Sequence, residues 1–319
     1  MWRLTALRRD ERGIALIMVI WVLALLSLMA MSFMAEARVE LRRAVNLRAR
    51  AEAEAMAEAG INIAVARLVA EHGEIQPQPW TETIAGETVS LSVLDEHGKI
   101  DLNESDPEFL TSLLKSEGVP PNSAAALGQA IVDFRDPDHD AGPQGAEDAD
   151  YPAGSAGAKD DRFATVDELL QVRGMTPRLY ARIAPLVTVH SVMPVVDPLT
   201  ADPRVLAAVP GIDHAELTRF LNLRAELGPV LNAPVPTDPA QKRISRDRRS
   251  KIMAKLRAAV PQHNAVARFF LADSFGQPAF EVIADATSAE GGHFRRDTIL
   301  RIDVGGAGSY RFLEWRRPQ

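Results

Sequence analysis

Residues 12–35 read RGIALIMVIWVLALLSLMAMSFMA, in which 22 consecutive uncharged residues, Ile14 to Ala35, follow a charged leader. At about 1.5 Å per residue, a helix over this run extends roughly 33 Å, which is enough to cross a bilayer. The run is longer than the apolar stretch of a cleavable secretory signal, which has about 7–15 residues. The sequence therefore predicts one membrane-spanning segment that stays attached to the protein.

The helix is expected to continue well beyond the apolar run. No proline occurs before Pro77, and the residues from Glu36 to about His72 are mostly Ala, Arg, Glu and Leu, which favour helix. The pattern predicts one helix of about 55–60 residues, roughly 85 Å long. Its first half would lie in lipid, and its second half would be polar and amphipathic.

The leader, residues 1–13, contains four arginines and two acidic residues and ends in a glycine at the start of the apolar run. This arrangement resembles the leader of class 3 prepilins. The resemblance implies that the prepilin peptidase cuts after Gly13 and that the new amino terminus, Ile14, is then methylated. Taken alone, the leader fits an uncleaved membrane anchor with a chance glycine about equally well.

Strand patterns lie on both sides of the middle of the chain. Polar and apolar residues alternate over Thr88 to Val93, which predicts a half-buried strand whose apolar side chains face the long helix. Three further strand-like runs, at 280–284, 298–304 and 310–315, are separated by turns that contain glycine. They predict an antiparallel meander that completes the same sheet.

Short helices are expected between these strands. Asn122 to Arg135 places Leu127, Ile131 and Phe134 on one helix face. Two glycines, Gly174 and Gly211, each separate a pair of helix-like stretches, and these units resemble helix-hairpin-helix elements of a SAM-like domain. Such elements often hold the backbone of DNA, so a DNA-binding protein is one candidate class.

Several stretches resemble one family, general secretion pathway protein K, the minor pseudopilin of type II secretion. They occur in the family's order along the chain, at 57–62, 95–103, 145–149 and 310–317. Met18 stands five residues into the mature chain, where shaft-forming pilins carry a glutamate, and the lack of that glutamate is a habit of this family. A carboxylate in lipid is costly unless it is paired.

The resemblance implies an α+β protein with a transmembrane stalk helix, a pilin-like head with an antiparallel sheet, and an inserted all-α SAM-like domain. The predicted parts are a leader at 1–13, the transmembrane half of the helix at 14–35, its periplasmic half at 36–75, the first part of the head at 76–103, the inserted domain at 104–235 with an acidic loop at 133–164, and a basic segment with the last strands at 236–319.

The resemblance also implies a place in the cell and a set of partners. It predicts a single-pass protein of the inner membrane of a Gram-negative bacterium, in contact with membrane lipid, with its head in the periplasm. It further implies cleavage by the prepilin peptidase and assembly with minor pseudopilins I and J at the tip of the pseudopilus. The absence of cysteine permits an oxidising periplasm without demonstrating it.

Two other classes remain open: a minor pilin of a type IV pilus and a membrane-anchored DNA-uptake protein. The formal net charge of −7 argues against a nucleic-acid partner, because polyanions are held mainly by basic surface. Each predicted hairpin also has one glycine and little flanking basic charge. The one strongly basic run, residues 242–251, lies outside the hairpins and reads as a solvated helix face, a linker or a contact with an acidic subunit.

The stretch 133–168 contains eleven acidic residues against three basic ones. Composition alone favours a disordered acidic loop. The resemblance to protein K, whose inserted domain binds calcium in characterised members, implies calcium instead. Calcium takes six to eight oxygen ligands from flexible loops, and the candidate ligands are Asp138, Asp140, Glu147 and Asp148.

The sequence predicts that the protein is not an enzyme. Its seven histidines show no metal-ligand spacing, cysteine is absent, and the serines lack the setting of a nucleophile elbow. The carboxylates of the acidic loop are expected to lie in a flexible segment, which cannot hold the geometry that acid–base catalysis needs.

Overall fold

The computed structural model describes residues 11–71, 79–152, 154, 157–231, 236, 238–261, 266–271, 278–303 and 309–316. Most of the predicted leader and the predicted helix break at Pro77 lie outside these ranges. The helices are α1 (Glu11–Ala70), α2 (Pro107–Ser116), α3 (Pro121–Arg135), α4 (Pro177–Ile183), α5 (Pro203–Ala207), α6 (His214–Leu231) and α7 (Pro239–Ala259). The strands are β1 (Trp80–Ile84), β2 (Glu87–Asp95), β3 (Ile100–Asp101), β4 (Val187–Thr188), β5 (Ala279–Thr287), β6 (His293–Ile302) and β7 (Tyr310–Arg316).

The long helix predicted from the sequence is confirmed. Helix α1 runs without interruption for 60 residues, which corresponds to about 90 Å. By length and composition, one helix among the described residues, Ala15–Ala70, can cross a membrane. The fold class is also confirmed, because α1 packs on an antiparallel sheet into which a set of helices is inserted.

The sheet has five strands in the order β1-β2-β5-β6-β7, and each neighbouring pair is antiparallel. Strand β2 pairs with β5, so that Val93 lies opposite Val282 although the two are far apart in the chain. The meander at the end of the chain therefore completes the sheet begun by β1 and β2, as predicted. Strand β1 was not predicted.

The upper half of α1 covers one face of this sheet. Its buried side chains recur at helical spacing and meet the apolar residues of β2, β5 and β6; the helix contributes Ala53, Ala57, Ile61, Ala64 and Leu68. The contact is close at Gly60, where an added Cβ would lie 2.8 Å from Leu91 Cδ2 and 3.0 Å from Val89 Cγ1. The prediction that Val89, Leu91 and Val93 face α1 is confirmed.

The inserted helices form a second apolar core. The predicted face of α3 is buried there, with Leu127, Ile131 and Phe134 packed against neighbouring helices. Two hairpins are present, with Gly174 at φ +89° before α4 and Gly211 at φ +75° before α6. The helical core extends past the predicted boundary at 235, because Val260 and Phe269 belong to it.

The basic run lies on α7, which begins at the Asp238 cap and is mostly exposed. Lys242 reaches Glu71 at the end of α1, with an Nζ to Oε1 distance of 3.3 Å, and Lys251 pairs with Asp247. Leu256 is buried beneath the helix. The run is therefore a solvated helix face of the helical unit rather than a linker.

Polar contacts join the helical unit to the sheet. Lys99 bridges Glu96 and Glu281 on β5 at 2.7 and 2.8 Å. On the other side of the joint, His190 Nε2 lies 3.0 Å from Glu314 Oε1 on β7, and Arg316 Nε lies 2.6 Å from Glu314 Oε2. Burial alone would raise the pKa of Glu314, but the hydrogen bonds from His190 and Arg316 outweigh it and lower that pKa to about 2.

This lowered pKa predicts acid sensitivity of the joint. A carboxylate with a lowered folded-state pKa contributes stability above its unfolded value near 4.5, and the contribution is lost as the pH falls toward about 2. Replacing Glu314 by Gln should cost about 1–3 kcal/mol of unfolding free energy at pH 6. Chemical denaturation of the full chain in detergent micelles should show this difference shrinking between pH 5 and 2. A difference that stays constant over this range contradicts the assignment, and Glu87→Gln on β2 serves as the control.

Candidate functional site: an exposed apolar helix and an acidic pocket

The lower half of α1 exposes its apolar side chains on every side. Leu16, Trp21 and Phe33 are 63%, 72% and 67% exposed, and the residues between them are similarly open. A helix that is apolar all round suits lipid or neighbouring helices rather than water. Gly13 and Ile14, the predicted processing site, lie within the first turn of α1.

The acidic loop is anchored to the end of α3 by one carboxylate. Asp133 is buried, and its Oδ2 accepts hydrogen bonds from the backbone N–H groups of Gly142, at 3.1 Å, and Ala146, at 2.8 Å. Gly145 is required for this approach, because an added Cβ would lie 1.7 Å from the same oxygen. The loop is thus folded back onto the helix, which places Glu147 in a buried position.

Three side chains meet there and form what we call the acidic pocket: His139, Glu147 and Asp160. One potential ligand atom from each lies within 4.8 Å of the others. His139 Nδ1 is 2.9 Å from Asp160 Oδ2, and the His139 side chain is exposed at the mouth of the pocket. Glu147 is only 6% exposed. The pocket therefore combines an imidazole with two carboxylates, and the carboxylate of Glu147 is enclosed by protein.

Several carboxylate oxygens in and beside the acidic pocket are buried without a hydrogen-bond partner. They are both side-chain oxygens of Glu147, Oδ1 of Asp136 and Oδ1 of Asp160. Buried polar atoms are normally paired, and a buried charge without a partner is costly. A cation held between these oxygens would remove that cost, and a hard divalent ion such as calcium prefers this donor set.

The electrostatics of the pocket lead to the same conclusion. Burial, followed by the charges of Asp160, Asp133 and Asp136, raises the pKa of Glu147 to about 7. Burial and the neighbouring Asp138 and Asp133 also raise the pKa of Asp136. Like charges held together disfavour ionisation. The carboxylates of the pocket therefore repel one another when they are charged, and a divalent cation placed between them would relieve this repulsion.

The four predicted calcium ligands lie in different environments. Glu147 belongs to the acidic pocket. Asp138, Asp140 and Asp148 are exposed and are not part of the three-residue group. Oδ1 of Asp138 accepts a hydrogen bond from the Asp140 N–H at 3.0 Å, and Oδ1 of Asp148 accepts one from the Ala158 N–H at 3.0 Å. Their role as ligands stays a prediction.

Sequence reasoning missed two members of the acidic pocket. His139 was not among the predicted ligands because the histidines show no metal-ligand spacing, although its position between Asp138 and Asp140 was a usable signal. Asp160 lies thirteen residues after Glu147, and no spacing rule connects them. It has φ +53°, an uncommon conformation for a residue other than glycine. Only the folded loop brings Asp160 next to Glu147.

The helix hairpins carry little free positive charge. Arg173, which precedes Gly174, lies 3.5 Å from Asp150 of the acidic loop. Gly211 is followed by Asp213, which accepts a hydrogen bond from Ala215 N–H at the start of α6. Phosphate contacts need basic side chains or free backbone donors. The structure therefore gives these hairpins little with which to hold DNA.

Comparison with known proteins gives sequence matches to one family. Residues 90–192 match the family model described as type II secretion system (T2SS), protein K. A putative type II secretion system protein K of Escherichia coli K12 is 25% identical over 208 residues, which cover 57% of this chain and 64% of that protein. The matched region thus spans less than two thirds of that relative.

The fold has a counterpart among solved structures. A chain in the crystal structure of the GspK–GspI–GspJ complex, from the type 2 secretion system of enterotoxigenic Escherichia coli, superimposes with a TM-score of 0.51. The alignment covers 89% of this chain and 99% of that chain, at 18% sequence identity. At this identity the match concerns the fold.

Proposed function

We propose that this chain, which matches type II secretion system protein K over residues 90–192, acts as a minor pseudopilin at the tip of a pseudopilus that exports folded proteins. The observation that carries the proposal is the family match over residues 90–192, which begins in strand β2 and takes in the insertion as far as α4 and β4. In this role the protein is a structural subunit without catalytic activity.

The proposed partners are minor pseudopilins I and J of the same system. The similar E. coli structure contains GspK together with GspI and GspJ. The size of the helical insertion supports a tip position. A subunit at the tip has no further subunit above it, so its head does not have to fit between the heads of neighbouring subunits. Met18 lies in the exposed apolar half of α1 and carries no charge, which is consistent with a subunit that does not pair there with a neighbour's amino terminus.

We propose the inner membrane as the location, with α1 spanning it once in contact with lipid and the head in the periplasm. The apolar half of α1 supports the anchor. No nucleic acid is involved in this proposal, because the hairpins are poor in basic charge. The minor pilin of a type IV pilus remains the nearest alternative, and it differs in predicting extracellular fibres.

Deletion of the gene tests the function directly. The expected result is loss of export with folded substrate accumulating in the periplasm, restored by the full chain, while surface fibres and adhesion stay unchanged. Enzyme activity of a secreted substrate in medium and periplasm is the measurement. Unchanged export in a strain whose secretion system is otherwise active would refute the proposal. Loss of fibres and adhesion would favour the pilin alternative.

We further propose processing at the junction of leader and helix. The prepilin peptidase is expected to cut after Gly13, leaving a methylated Ile14 as the first residue. Replacing Gly13 by Leu should block cleavage and leave the precursor in the membrane, because a bulky side chain then occupies the cleavage position. Mass spectrometry of the chain purified from secreting cells distinguishes the two forms. A wild-type chain that keeps Met1 to Arg12 contradicts the proposal.

We also propose that the acidic pocket holds calcium, with Glu147, Asp160 and Asp136 supplying oxygens. Calcium at about one hundred times its Kd should stabilise the full chain by about 2.7 kcal/mol, seen as a rise in melting temperature. Glu147→Gln should abolish the rise in melting temperature. Asp140→Asn should not change it, because the exposed Asp140 is not among the buried oxygens proposed as ligands.

Calcium binding should also depend on pH. Protons compete with calcium at Glu147, whose pKa is about 7, so binding should weaken from pH 8 to pH 6. Unchanged melting and unchanged hydrogen exchange of the loop on calcium addition would exclude the site.

A further inference from the structure

Strand β7, at one edge of the sheet, presents two different faces. On one face, Glu314 contacts His190 of the helical unit, and Arg316 pairs with Glu314 and with Glu281 on β5. On the other face, three aromatic side chains stand in a row: Tyr310, Phe312 and Trp315, which are 46%, 37% and 43% exposed. We call these three residues the aromatic strip. Among the described residues outside α1, these are the only exposed large apolar side chains whose aromatic rings contact one another.

A β-bulge puts all three rings on the same side. Tyr310 lies opposite Ile302 and Phe312 opposite Leu300, but the register shifts at that point, so that Trp315 lies opposite Thr298. The extra residue is Leu313. Without it, alternation along the strand would turn Trp315 to the opposite face. The bulge therefore builds the aromatic strip.

The aromatic strip borders α1. Its rings share the sheet face on which Leu300 and Ile302 pack with α1. Arg296 connects the two elements, because its guanidinium lies 5.3 Å from the Trp315 ring and donates hydrogen bonds to Glu54, at 2.6 Å, and Glu58, at 3.1 Å. Arg296 thus links the aromatic strip to α1 on the same side of the sheet.

The spacing of the rings matches the pitch of an α-helix. The ring centroids are 5.5 Å apart between Tyr310 and Phe312 and 5.1 Å apart between Phe312 and Trp315, and one helical turn rises about 5.4 Å. Apolar side chains at i, i+4 and i+7 of a helix lying along the strip would each meet one ring, which is the helix-in-groove mode of recognition. Addition of a strand fits less well, because the bulge breaks the regular edge of β7.

The size of the aromatic strip also limits what can bind. An aromatic side chain offers about 150–250 Å² of surface, so three rings that are less than half exposed leave roughly 200–350 Å². A stable complex of two folded proteins needs about 800 Å² on each partner. The strip alone therefore cannot hold a second copy of this chain, but it can serve as one contact of a helix that is held alongside by other means.

The bilayer supplies those other means. Leu47 lies seven residues before Glu54 and so on the same face of α1, it is 69% exposed, and the apolar membrane half follows below it. We propose that the aromatic strip, with the adjoining face of α1, binds the amphipathic half of a transmembrane helix from another membrane-anchored subunit. The inference rests on the proposed function, since a neighbour in the same membrane is what lies alongside α1.

The absence of cysteine makes a direct test possible. Tyr310→Cys places a single thiol on the aromatic strip, and Thr81→Cys places a matched exposed thiol on β1 at the other edge of the sheet. Both full chains are labelled with a membrane-impermeant maleimide in spheroplasts, with and without pseudopilins I and J of the same system. Co-expression should protect the thiol on the aromatic strip and leave the thiol on β1 reactive.

Side-chain truncation gives a second readout. Phe312→Ala and Trp315→Ala should each reduce co-purification of I and J about tenfold, as expected for an aromatic contact at the centre of an interface. Leu94→Ala, on β2 and similarly exposed at 38%, should not. Melting temperatures of the variants, measured in detergent, check that they are folded.

Four other results would contradict the inference, and they can be told apart. If I and J co-purify with the wild type while the thiol on the strip stays reactive and the truncations have no effect, the strip is refuted and the proposed function stands. If I and J do not co-purify at all, the proposed function fails and the inference falls with it. Protection of the strip thiol without I and J indicates a second copy, and new slow exchange of β7 backbone amides indicates strand addition.

Discussion

The packing of one continuous helix against two different surroundings is the constraint on which the rest of this structure depends. The lower half of α1 buries none of its apolar surface in protein, whereas from Ala53 upward every apolar turn is covered by the sheet. Because α1 has no break among its 60 residues, the half that packs on the sheet is a direct continuation of the membrane half.

The sheet in turn depends on contacts between distant parts of the chain. Strands β2 and β5 pair directly although the whole helical unit is inserted between them. The joint between sheet and insertion is polar: Lys99 lies between Glu96 and Glu281, and Glu314 lies between His190 and Arg316. Buried ion pairs add little net stability but cost much when one partner is lost. This joint therefore specifies how the insertion sits on the head more than it stabilises either part.

The acidic pocket shows that this fold encloses carboxylate oxygens without hydrogen-bond partners. Asp133 is satisfied by the loop backbone, and this forces Glu147 inside, where its oxygens have no partner. A cation bound there, as proposed above, would remove the cost of the unpaired carboxylates. Calcium bound there would link the acidic loop to α3. It would thereby stiffen this end of the helical unit, whose apolar core includes Ile131 and Phe134 of α3.

Local pattern in the sequence determined the long helix, the three C-terminal strands, the buried face of α3 and the two glycine hairpins, because helix and strand periodicities involve residues close together in the chain. Strand β1 was not predicted, since five residues of alternation at a sheet edge give a weak signal. The grouping of Glu147 with Asp160, the pairing of β2 with β5, and the bulge at Leu313 that aligns three rings were decided only by tertiary structure. Each of them depends on contacts between segments that the chain's own spacing does not relate, and such contacts form only when the burial of apolar side chains fixes where the segments lie.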